Sequence, residues 1–169
     1  MSATWLGALL ETADPPRART ILETAIEHAT TINYGVYVAM PLVYLARMGT
    51  DARSPQWATQ FRTSLDLAYD KGDTVNCLLL LDLYTQALAT TDRAETAAVL
   101  AATVGELSPH TSNPISVAHR RDTNARLLTQ LGEERLAELT AHGEALRYED
   151  AVALARAELD RAIANDDAA

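Results

Sequence analysis

The sequence predicts an all-α fold of stacked antiparallel helix pairs, an α-solenoid of about nine helices with no strands. Three observations predict it. The first is a recurring apolar face. Leu22, Ala25, Ile26 and Ala29 reappear 39 residues later as Phe61, Ser64, Leu65 and Ala68, and 39 residues later again as Leu100, Thr103, Val104 and Leu107. Each set falls at i, i+3, i+4 and i+7, one face of a helix. A fixed period of this size is the mark of stacked helix pairs. Such a pair cannot bury its apolar face alone, so neighbours must stack into a continuous core. The second observation is composition: 48% of residues are apolar but only 5% aromatic, and the Ala and Leu that dominate favour closely packed helices. The third is that helix start signals fall where the recurrence needs them.

The elements follow in order. Residues 3–12 form a short amphipathic helix. Asp14-Pro15 is an N-cap with a first-turn proline, opening a helix to about Thr30. A turn at Thr31–Asn33 leads into a helix over Tyr34 to Met48, and Gly49-Thr50-Asp51 closes the pair. Ser54-Pro55 repeats the cap-plus-proline device for a helix to about Lys71. Gly72 then offers a left-handed C-cap, and Asp73 caps a partner helix to about Thr90. Asp92 with Glu95 reads as a capping box before Ala97-Ala98-Val99-Leu100. Residues 108–115 are a turn-rich loop. A helix over 116–131 is ended by Gly132, a short one runs to Gly143, and the last spans Tyr148 to Ala164. One domain over residues 1–164 is expected, with repeat units at about 15–50, 54–91 and 92–107, C-terminal helices over 116–164 and a frayed tail at 165–169.

The net charge is −9, with the acidic surplus spread over both halves. That leaves no basic face able to release counterions from a phosphate backbone, so no direct nucleic-acid partner is expected. The single cysteine, Cys77, lies in the run Cys77-Leu78-Leu79-Leu80-Leu81 and reads as a buried small hydrophobe. No segment is long and apolar enough to span a membrane, and Met1 to Pro16 lacks a positive n-region. A cytoplasmic protein without a membrane partner is expected.

The C-terminal third carries a resemblance. The stretch Arg93-Ala94-Glu95-Thr96-Ala97-Ala98-Val99-Leu100-Ala101-Ala102-Thr103 resembles the helix that opens the closing region of bacterial LuxR-type regulators and cyclase-linked switch ATPases. Leu131-Gly132-Glu133-Glu134-Arg135-Leu136, His142-Gly143-Glu144-Ala145-Leu146 and Glu149-Asp150-Ala151-Val152-Ala153-Leu154-Ala155 are similar to that region's final motif. The resemblance extends more weakly over about residues 15–160. It implies a tetratricopeptide-like array of the kind that follows an ATPase domain and often precedes a helix-turn-helix. It therefore implies a sensing or partner-binding module that restrains or releases neighbouring domains. The chain has no Gly-x-x-x-x-Gly-Lys-Ser/Thr loop, and no DNA-reading helix is expected after the last motif. Arg147 stands where the family has a serine cap. The matching residues are structural in the family, so the resemblance brings no catalytic or cofactor residue.

Chemistry-bearing residues are sparse. Glu23/Glu27 and Asp66/Asp70 are carboxylate pairs at i, i+4, each on one helix face. Such pairs can hold a divalent metal, but without a third ligand they read as solvated acidic faces. His28, His110, His119 and His142 are scattered without zinc-site spacing. No metal, no cofactor and no catalytic residue is expected.

Tyr34, Tyr37 and Tyr44 share roughly one face of the second long helix, with Pro41 between them. A mid-helix proline removes an N–H and kinks the helix. Asn76 takes the place of Tyr37 at the 39-residue offset, and Tyr69 and Tyr84 could extend the surface. Tyrosines packed between repeats are the plainer reading. An apolar ring with a polar tip also suits a groove that grips a partner. Tyr34, Tyr37, Tyr44, Asn76 and Tyr84 are therefore the expected binding set of a non-catalytic regulatory module whose partner is a protein segment or a neighbouring ATPase or cyclase domain. The alternatives are a small-molecule sensor with a pocket between helix pairs and, behind it, an α-helical enzyme. The register itself is testable at Phe61, the only phenylalanine of the chain. Phe61→Ala is expected to lower unfolding stability by about 3–5 kcal/mol through lost burial and a cavity. An unchanged denaturation midpoint would place the ring in solvent and break the register.

Overall fold

The computed structural model describes residues 3–11, 13–32, 35–49, 54–108 and 114–164. The expected tail at 165–169, most of the 108–115 loop, His110 and Tyr34 lie outside them. Among the described residues the protein is all-helical, with nine helices and no strand. They are α1 (Ala3–Leu10), α2 (Pro15–Thr31), α3 (Gly35–Arg47), α4 (Pro55–Asp70), α5 (Thr74–Leu88), α6 (Ala94–Leu107), α7 (Pro114–Leu131), α8 (Glu133–Glu144) and α9 (Tyr148–Ala164). None of the described helices is long and apolar enough to cross a membrane. The chain divides into two compact units, one of Met1–Leu80 with Leu159–Ala169 and one of Leu81–Glu158. Both boundaries fall inside helices, so α5 and α9 each contribute a stretch to both units.

In the first unit α2 packs on α1 and α3, and α3 packs on α4. The caps are those the sequence signals. The Asp14 carboxylate accepts from Arg17 N at 3.3 Å and the Ser54 hydroxyl from Trp57 N at 3.3 Å, each ahead of a first-turn proline that has no N–H to satisfy. At the end of α4, Gly72 adopts φ +67°. That left-handed turn lets Asp73 N reach back to Ala68 O at 3.0 Å. The Asp73 side chain then accepts from Asn76 N at 3.1 Å and opens α5.

The recurring face is inside. Leu22, Phe61 and Leu65 are fully buried, and Ala25, Ile26, Ala29, Ser64 and Ala68 are nearly so. Trp57 stacks on Phe61 with ring centroids 5.0 Å apart, and its indole N–H donates to Leu42 O at 2.9 Å. The ring is therefore buried without leaving its donor unpaired. Cys77 is fully buried as well.

In the second unit the chain from Leu81 through Ala89 is buried at every position. A helix enclosed on all sides belongs to the interior rather than to a surface layer. In the same unit α6 continues the recurrence with Leu100, Thr103 and Val104 buried. Leu107 departs from it at 39% exposure, because it is the last residue of α6 and projects beyond the packed turn. Helix α6 packs on α8. The two meet closely at Gly143, where an added Cβ would lie 2.3 Å from the Val99 carbonyl oxygen and 2.8 Å from Ala102 Cβ. The Thr103 hydroxyl is 2.8 Å from Gly143 O and 2.9 Å from Val99 O, bridging the two helices at the same place. By contrast α7 is largely solvated, with Thr123 and Leu127 its buried described side chains.

One start signal is corrected. Asp92 does not cap α6: the N-cap is Arg93, which makes no side-chain capping bond. The Thr91 hydroxyl accepts from Arg93 N at 3.1 Å, so the turn ahead of the helix is stabilised one residue earlier than the capping box requires. Glu95, the expected return partner, instead accepts from Arg135 of α8 at 2.9 Å.

Gly143→Ala is expected to destabilise the protein by about 1–3 kcal/mol or more, the usual cost of forcing extra volume into a packed contact. Urea denaturation reads it, and a neutral substitution would mean that α6 and α8 are not in backbone contact.

Candidate functional site

The expected tyrosine set divides by burial. Tyr37 on α3 is 49% exposed, whereas Tyr44, seven residues along, is 4% exposed. The reason is that α3 is enclosed all round from Pro41 to Ala46, so two turns of helix carry the stripe from solvent into the core. Tyr44 is a packing residue of the first unit. Asn76 is half-buried, and its side-chain amide donates to Asp73 Oδ2 at 2.6 Å, which commits it to the α5 cap. Tyr84 belongs to the second unit and is 3% exposed. Its phenol is pushed well above the ordinary value of 10.0, first by burial and then by the nearby Glu158 carboxylate, against the opposing pull of Arg93. Of the set, Tyr37 is the described tyrosine with an exposed side chain.

One concave surface of the first unit lies elsewhere on α3. Helices α2, α3 and α4 enclose an open cleft of about 370 Å³. Its apolar wall is Ile26, Leu42, Leu45 and Trp57, each under 9% exposed. Its polar side is Glu23, Glu27, Gln56, Gln60 and Ser54. Glu23 and Glu27 are one helical turn apart on α2, so both carboxylates stand over the same opening. Both are exposed, and neither is engaged in a hydrogen bond or ion pair among the described residues. Among the described residues no lining residue is basic. The other i, i+4 pair is arranged differently: Asp66 is held by Arg62 of the same helix at 2.9 Å, and Arg62 also bonds Asp160.

The second unit buries two carboxylates, each matched by an arginine from another part of the chain. Glu158 of α9 receives two bonds from the Arg93 guanidinium, at 2.9 and 2.7 Å, and a third from the Thr96 hydroxyl at 3.2 Å. Asp82 of α5 accepts from Arg120 of α7 at 2.9 Å, and Gln86 bonds it one turn along. The Gln86 Oε1 atom is buried with no partner among the described residues, at a cost of about 1–3 kcal/mol for an unpaired acceptor. The ion pairs leave no sequence signal, because their partners are 65 and 38 residues apart. A separate apolar cavity of about 330 Å³ is lined by Ala98, Ala102, Ala125, Leu127, Leu128 and Leu136 with Asn124 and Thr140 at its edge. Among the described residues no three His, Cys, Asp or Glu side chains gather as a metal site.

Comparison with known proteins gives no match to any family model, curated protein or solved structure.

Burial raises the Asp82 carboxyl above its ordinary value of 3.8, outweighing the opposing effect of Arg120 and the hydrogen bonds. Between those two values the folded chain holds a proton that the unfolded chain has released. The contribution of Asp82 to stability is therefore full below 3.8 and is lost as pH rises through the folded value. In urea titrations begun below pH 3.8, wild type is expected to lose stability relative to Asp82→Asn as pH rises. A difference that stays constant with pH would mean that Asp82 titrates alike in both states.

Proposed function

We propose that this protein is a non-catalytic helical interaction module with a regulatory role, and that its first unit contacts a protein partner through the cleft between α2, α3 and α4. The observation that carries this reading is the cleft's composition: an apolar wall of buried side chains, two glutamines, and two exposed carboxylates with no hydrogen bond or ion pair among the described residues. Recognition surfaces join a desolvated apolar centre to a polar rim in this way. The buried carboxylates of the second unit support the same reading, since each is committed to an arginine that ties helices together. A stack of tetratricopeptide-like pairs restraining a neighbouring ATPase or cyclase domain is the arrangement to which the C-terminal motifs point. The chain would act there as a docking element for a signalling partner in the cytoplasm.

The apolar cavity of the second unit favours a second reading, a small-molecule sensor. Its volume of about 330 Å³ is at the lower end of ligand-pocket sizes, roughly 300–1,000 Å³.

A photo-crosslinking amino acid at Gln56, on the cleft rim, tests the first reading in cells. One discrete protein adduct is expected from that position and none from the same group at Asp122, on the solvated face of α7. Equal labelling from both positions, or none from Gln56, would overturn it. A small-molecule adduct retained in native mass spectrometry and lost in Leu128→Asp would favour the sensor instead.

A further inference from the structure

The cleft of the first unit also carries information about the chemistry of its occupant. We infer that it receives a cationic side chain, arginine or lysine, presented by an extended segment of a partner protein. This rests on the reading of the cleft as a partner-binding surface and adds the identity of the group it selects.

Charge supplies the first reason. Glu23 and Glu27 put two carboxylates over one opening, and among the described residues neither has a hydrogen bond or ion pair and no arginine, lysine or histidine lines the cleft. Elsewhere the exposed acids that face arginines are paired with them, as Glu95 and Glu138 are with Arg135 and Asp150 with Arg147. Two like charges one helical turn apart repel each other, and a cation between them removes that repulsion. A guanidinium or ammonium can bond both carboxylates, and charge-assisted bonds of this kind are the strong ones.

Shape supplies the second reason. Ile26, Leu42, Leu45 and Trp57 form an apolar wall, and arginine and lysine lay a methylene stem along such a wall while the charged head stays at a wet rim. Gln56 and Gln60 line the same cleft and offer amide oxygens as acceptors. The cleft is open to solvent. A side chain delivered from a passing segment needs only its stem and head enclosed.

The test is a titration of the full-length protein followed by nitrogen–proton correlation spectra, using three probes. The first is a capped pentapeptide with one arginine between two leucines, and the second is the same peptide with uncharged citrulline in that place. The third is free spermidine. The arginine peptide is expected to shift the indole N–H signal of Trp57, and Glu23→Gln with Glu27→Gln is expected to weaken its binding by about tenfold or more. Both substituted positions are exposed, and an unchanged circular dichroism spectrum confirms that the fold holds. Binding should weaken with added salt, since the rim is solvated. If citrulline binds as well as arginine at Trp57, the cleft takes peptides but does not select charge, and this inference fails while the partner-binding reading stands. If spermidine binds as tightly as the arginine peptide, the occupant is a free amine and the protein-segment assignment fails. If neither peptide moves Trp57, both readings fall together.

Discussion

The second unit depends on a contact made where a side chain is missing. At Gly143 the backbone of α8 lies against the Val99 carbonyl of α6, closer than any Cβ would permit. Small residues on α6, Ala98, Ala101 and Ala102, line the same side of that helix. The Thr103 hydroxyl bonds across the crossing, which satisfies a buried donor and fixes the register of one helix on the other. With α8 held this close, Arg135 reaches Glu95 on the exterior of the same pair. This ion pair is solvated and contributes little by comparison.

Two buried carboxylates complete that unit and show how polar groups are managed inside it. Glu158 has three donors directed at it, whereas Asp82 has fewer and keeps a raised affinity for its proton. Removing a single partner from such a pair leaves an uncompensated buried charge, which is far more damaging than replacing both. These pairs join parts of the chain that lie far apart in sequence, Arg93 to Glu158 and Asp82 to Arg120. Helices rich in alanine and leucine can slide against one another, whereas Arg93 has one place to put its guanidinium.

Much of the helical layout was legible in the sequence, and the physical reason is local. Asp14-Pro15, Ser54-Pro55 and Gly72-Asp73 signal helix ends through backbone chemistry spanning three or four residues, and each is found in that role. The face through Leu22, Phe61 and Leu100 was legible because a helix that buries one side must repeat its apolar residues. Two features were not. The capping box at Asp92 and Glu95 was displaced because Arg135, forty positions away, takes Glu95. The tyrosine stripe read as a surface, yet α3 is enclosed on every side around Tyr44, and periodicity cannot reveal that a second face is covered too. The carboxylates of Glu23 and Glu27 were visible as a pair on one face. That they overhang an apolar cleft depends on residues from α3 and α4, which no pattern within α2 contains.

The fully buried thiol of Cys77 gives the first unit a built-in clock. A reagent that alkylates thiolates cannot reach sulfur in the closed interior, so modification waits for a transient opening of the helices around it. With one cysteine in the whole chain, each molecule can be modified once, and every mark records the same event. The labelling rate therefore reports how often this unit breathes. A partner seated between α2, α3 and α4 would slow that clock even if it never came near the sulfur.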